Sequence, residues 1–96
     1  MSDENKILTL HPEGKSGKNI LRIKYEALKE CILGIFRDFP EISHKDLTRI
    51  SNERMSGKVE GNISWYMETV LLDLMARGLI VKTGVKPVKL KLVKQG

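Results

Sequence analysis

The sequence predicts a small α+β domain, mostly helical, in which three helices precede a β-hairpin. Three observations predict it. Apolar residues recur at three- and four-residue spacing over 21–39 and again over 63–74. Capping residues, glycines and a proline fall at the ends of those stretches. After Gly78 the apolar period changes from helical to two.

The first helix is expected at about 22–38. Leu21, Tyr25, Leu28, Ile32, Ile35, Phe36 and Phe39 form one face, with Glu26, Lys29, Glu30 and Arg37 between them. Pro40 ends it, because a residue before proline resists the helical region. Cys31 lies within this helix. No base pattern accompanies it, so it reads as a small packed hydrophobe and not a nucleophile.

The second helix is expected at about 44–54, in "PEISHKDLTRISNERM". Ser43 followed by Asp46 resembles a capping box, and Ile42 can staple onto Leu47. Leu47, Ile50 and Met55 form its apolar side, with Lys45, Arg49 and Arg54 on or near the other. "SGKVEGN" is then a turn.

The third helix, "NISWYMETVLLDLMAR", is expected at about 62–77. Asn62 or Ser64 can cap it, and Gly78 suits the left-handed residue beyond its end. Ile63, Tyr66, Met67, Val70, Leu71 and Leu74 form the core arc. Trp65, Leu72 and Ala76 form a second stripe nearly opposite. The last segment, "LIVKTGVKPVKLKLVK", predicts a hairpin at about 79–93. Its final run alternates apolar residues with lysine, which gives a strand one buried face. Residues 1–20 are expected as an N-terminal arm, partly flexible, and 21–94 as a single domain.

That arm contains a possible false lead. "ILTLHPEGKSGKNI" has the order of a phosphate-binding P-loop, in which an apolar run and a Gly-Lys-Ser loop precede a helix. The motif needs a glycine five residues before its Gly-Lys pair. Thr9 stands five before Gly14, and Pro12 five before Gly17; Asn19 follows Lys18 where Ser or Thr is needed. Both registers fail, and no nucleotide is expected.

Composition bounds the remaining classes. Ninety-six residues support one modest core. No apolar stretch reaches the roughly 18 residues of a membrane span. One cysteine cannot form an internal disulfide, which fits a reducing cytoplasm. Cys31, His11 and His44 make no zinc pattern, so no metal or cofactor is expected. The carboxylates are scattered without a nucleophile–base pair, so an enzyme is not expected.

The net charge is +5, and residues 79–96 hold five lysines and no acid. Such a block attracts polyanions, although a solvated lysine-rich hairpin would look the same.

Three helices and a hairpin, in that order, are the elements of a winged helix-turn-helix domain. "VLLDLMARGLIVK", Val70 to Lys82, resembles the segment of prokaryotic winged-helix regulators where the recognition helix gives way to the wing. "HPEGK" and "SWY…LDL.ARGLI" resemble a set of small uncharacterised prokaryotic winged-helix proteins over about residues 11–92. The resemblance implies the fold. By analogy of fold it implies a cytoplasmic, transcription-associated, DNA-binding role.

In that reading Lys82, Lys86 and Lys89 of the wing hold phosphates. Asn62 and Ser64 approach base edges, and Lys45, Arg49 and Lys58 make flanking phosphate contacts. Lys15, Lys18 and Arg22 can add contacts from the arm, or the arm can cover Trp65. The third helix complicates this. It has no Lys or Arg between Asn62 and Ala76, and Glu68 and Asp73 would add negative charge where phosphates approach. The alternative is a protein-interaction module, with a homodimer as one form of it, and with Trp65, Leu72 and Met75 as its patch.

Overall fold

The computed structural model describes residues 6–11, 13–14, 17–84 and 88–93. Its elements run β1 (Lys6–Leu8), β2 (Asn19–Leu21), α1 (Arg22–Asp38), β3 (Glu41–Ile42), α2 (His44–Met55), α3 (Ile63–Ala76), β4 (Ile80–Thr83) and β5 (Lys89–Leu92). Three helices pack on one another and on a small antiparallel sheet, a winged-helix-like layout in which the β4–β5 hairpin is the wing.

The core follows from helical spacing. Tyr25, Leu28, Ile32, Ile35 and Phe36 of α1 are buried, and they meet Leu47, Ile50 and Met55 of α2 and Met67, Val70, Leu71 and Leu74 of α3. Each large apolar side chain buried here stabilises the fold by about 1.5–3 kcal/mol before ordering costs. Leu21 and Phe39, which fit the α1 period, lie 38% and 43% exposed. Both fall outside the helix: Leu21 ends β2, and Phe39 has extended backbone (φ −131°, ψ 94°).

The caps match the local sequence. Asp46 N–H donates to Ser43 Oγ at 3.1 Å, and Trp65 N–H donates to Asn62 Oδ1 at 3.0 Å. Gly78 has φ +79°. There Leu79 N–H donates to Leu74 O (2.9 Å) and Gly78 N–H to Met75 O (3.0 Å), the paired bonds of a Schellman motif. This turn releases the chain from α3 directly into the wing.

The second sheet has the order β3-β5-β4. In β4–β5, Ile80 faces Leu92, Val81 faces Lys91, Lys82 faces Leu90 and Thr83 faces Lys89. Ile80 and Leu90 are buried, which fixes the inner face of the wing. The two-residue strand β3 adds Ile42 to the same core.

Part of the N-terminal segment expected as an arm is paired as strands. β1 and β2 pair antiparallel, with Ile7 opposite Ile20, and Ile20 is buried. The pairing extends to Thr9 and Lys18. Thr9 N–H donates to Lys18 O at 2.9 Å, and Lys18 N–H to Thr9 Oγ1 at 2.9 Å. Gly17 is required there: a Cβ on it would lie 1.6 Å from the Thr9 carbonyl oxygen. Its strands pack on α1, and Thr9, Leu10, Gly17 and Lys18 between them border one flank of α3, so the hairpin forms a strap.

Candidate nucleic-acid interface and the outer face of α3

Lys45 lies exposed in the first turn of α2, and Lys58 is exposed in the turn that follows this helix. Arg49 is exposed between two carboxylates, 3.6 Å from Asp46 and 3.3 Å from Glu53, so its charge is largely answered within the helix. Asn62 is the α3 N-cap, and its side-chain oxygen is occupied by Trp65 N–H. Ser64 is half-buried, and its hydroxyl accepts from Asn52 Nδ2 at 2.9 Å. Asn52 also donates to Thr48 O at 2.9 Å, so it joins α2 to the start of α3.

Lys82 and Lys89 are both exposed, but the register places them on opposite faces of the wing. Lys82 stands across from Leu90, on the side of Ile80. Lys89 stands across from Thr83, on the side of Val81 and Lys91. Lys91 has Glu41 as its other cross-strand neighbour. Among the described residues, no carboxylate forms an ion pair with Lys82 or Lys89. Lys18 is exposed on the strap and Arg22 at the first residue of α1. Lys15 and Lys86 lie outside the described residues.

Asp73 overturns its expected role. It is fully buried, so it presents no charge to an approaching phosphate. Its carboxylate accepts from Leu10 N–H at 2.8 Å, from Arg77 Nε at 2.8 Å and from the Tyr25 hydroxyl. Burial alone would raise its pKa; the bonds from Arg77, Tyr25 and Leu10 outweigh burial and hold the carboxyl below its usual range. Tyr25 moves the other way, to about 12, through burial first and then the adjacent carboxylate. Tyr25 did not stand out in the sequence as a polar partner, since it lies 48 positions from Asp73 on the apolar face of α1.

Glu68 does reach the surface. His44 Nε2 lies 2.5 Å from its Oε1, a hydrogen bond that joins α2 to α3 at this point. Trp65 is 43% exposed, and Leu72 and Met75 are half-buried. Trp65 meets the edge of Tyr66 at 5.1 Å and 85°. Lys24 is fixed behind that pair, 4.9 Å above the Tyr66 ring and 3.1 Å from Glu60 O.

The strap flanks Trp65 without burying it. Thr9, Leu10 and Lys18 of the strap face Trp65, Thr69 and Leu72 across a cleft of about 340 Å³. On the other flank a groove of about 550 Å³ separates Glu68, Leu72 and Met75 from Lys82, Val88 and Leu90 of the wing. Glu68, Leu72 and His11 border both hollows, so the outer face of α3 is a ridge between strap and wing.

Cys31 is half-buried and burial raises its thiol pKa, which leaves little thiolate for nucleophilic chemistry. Among the described residues no cluster of three or more His, Cys, Asp or Glu side chains could hold a metal ion. Among the same residues no helix is long and apolar enough to cross a membrane.

The fold and this surface define a small α+β module of winged-helix-like layout, with a lysine-bearing wing and an apolar ridge on its third helix. The profile of DUF6958, a family of unknown function, matches residues 6–90, and the chain belongs to that family. No curated protein and no solved structure matches the chain.

Proposed function

We propose that this chain is a winged-helix, transcription-associated protein that binds nucleic acid through phosphate contacts from its wing. The observation that carries the reading is the placement of Lys82 and Lys89. They put positive charge on both faces of a two-stranded ribbon, and neither is ion-paired among the described residues. A groove of duplex nucleic acid is bordered by two phosphate strands, and a ribbon charged on both faces suits that geometry. Lys45 and Lys58 add exposed cations from the helix-turn-helix pair.

The outer face of α3 does not favour base readout. It carries no Lys or Arg, its cap residue is engaged with its own backbone, and strap and wing stand on either side. Binding is therefore set by charge and shape, with little sequence preference. Single variants test the two-faced wing: Lys82→Ala and Lys89→Ala should each flatten the salt dependence of duplex affinity by about 0.9 units on a log–log plot. A flattening by only one of them would rule out contacts on both faces.

A further inference from the structure

The placement of the wing lysines also selects the kind of duplex. We infer that the wing enters the major groove of B-form DNA and discriminates against double-stranded RNA; this rests on the wing reading above. β3 stops beside Leu90, so the next rung, Thr83–Lys89, pairs β4 and β5 alone. Lys82 and Lys89 lie one rung apart, about 3.4 Å along the ribbon, on opposite faces. They therefore meet the two walls of a groove at nearly one depth.

Sterics choose the groove. A sheet with side chains on both faces is about 10 Å thick. The major groove of B-form DNA, about 12 Å wide, admits it, and the minor groove, about 6 Å wide, does not. The major groove of A-form RNA is deep and narrow, and its minor groove is too shallow to set phosphates against both faces. α3 is a poor rival for the groove, since it holds no Lys or Arg and stands between strap and wing. The two walls are not equivalent. On the outer side Lys89 is joined by Lys91, with Glu41 beside Lys91. On the inner side the phosphates approach the hollow that Lys82 shares with Glu13 and Glu68, and these acids oppose the contact.

The probes are three duplexes of one sequence: DNA, RNA, and DNA whose cytosines carry glucosylated hydroxymethyl groups. The last fills the major groove with uncharged bulk and leaves the phosphates in place. Binding to the full chain is read by anisotropy at low salt. Plain DNA should bind about tenfold tighter, or more, than RNA or the glucosylated duplex. Netropsin, which fills the minor groove, should leave the affinity for plain DNA unchanged. Glu68→Gln should tighten DNA binding about twofold or more, because it removes a charge that faces the inner phosphates. Equal binding of plain and glucosylated DNA, equal binding of RNA, displacement by netropsin, or an unchanged affinity in Glu68→Gln overturns the inference. The wing reading survives those results if binding still weakens with salt and with Lys82→Ala and Lys89→Ala. No salt-sensitive binding to any of the three duplexes overturns both.

Discussion

The backbone N–H of Leu10 donates to the Asp73 carboxylate at 2.8 Å, across 63 positions of the chain. This bond fastens the N-terminal strap to α3. It also supplies one of the donors that a fully buried carboxylate needs, beside the Tyr25 hydroxyl and Arg77 Nε. Strap, α1 and α3 therefore share one polar anchor inside an apolar core.

Removal of that anchor should be costly. Asp73→Ala leaves the Tyr25 hydroxyl and the Leu10 N–H without their acceptor, and the expected loss is about 3–5 kcal/mol in urea unfolding. Hydrogen exchange should show Leu10 losing its protection. Wild-type stability in this variant would mean that the carboxylate is not the fastening point.

The same anchor predicts a stability window in pH. Asp73 has a folded pKa below its unfolded value, so its contribution is present above about pH 4 and is lost as pH falls through the folded value. Tyr25 has a folded pKa raised from 10.0 to about 12, so its contribution is full below pH 10 and is lost between pH 10 and 12. Tyr25→Phe should remove much of the alkaline loss. Thermal melts across pH 3–12 for both proteins would show it.

Two glycines of the strap should respond differently to the same change. In Gly17→Ala the new methyl carbon would lie 1.6 Å from the Thr9 carbonyl oxygen, so the strap must open, at about 2–3 kcal/mol. In Gly14→Ala the methyl meets nothing within 4 Å, and only φ +79° is strained, at about 1–2 kcal/mol. Amide exchange at Thr9 and Lys18 should rise in Gly17→Ala alone.

Ser43→Ala removes the side-chain acceptor of Asp46 N–H at the start of α2, with an expected loss of about 1 kcal/mol in chemical unfolding. Ser43→Asp should recover most of it, since Asp is an equally good cap.

The three helices and the wing were legible because their burial is periodic and their ends carry local signals. Ser43, Asn62 and Gly78 each act within a few residues of their own position. β1, β2 and β3 were not legible, since strands of two or three residues show no period. β3 forms through a partner distant in sequence, Leu90 for Ile42, whereas β1 and β2 pair with each other. Asp73 was misread for a related reason. An acid in a helix is ordinarily solvated, and its donors here include Tyr25, 48 positions away, and Leu10, 63 away. A clue was present, because Asp73 lies beside the core arc of Val70 and Leu74 and four residues before Arg77. For the candidate site, alternation correctly separated Lys89 and Lys91 from Leu90 and Leu92. The opposite facing of Lys82 and Lys89 needed the cross-strand register, which sets Lys82 across from Leu90 and Lys89 across from Thr83.

The central claim, phosphate binding by the wing, is tested most directly by titrating the full chain with two unrelated duplexes between 50 and 300 mM salt. With two to four phosphates neutralised, log affinity should fall with log salt at a slope of about −1.8 to −3.6 for both duplexes. The two affinities should agree within about threefold, because phosphate contacts carry no sequence information. The absence of binding at 50 mM salt, or binding that does not change with salt, would contradict the account.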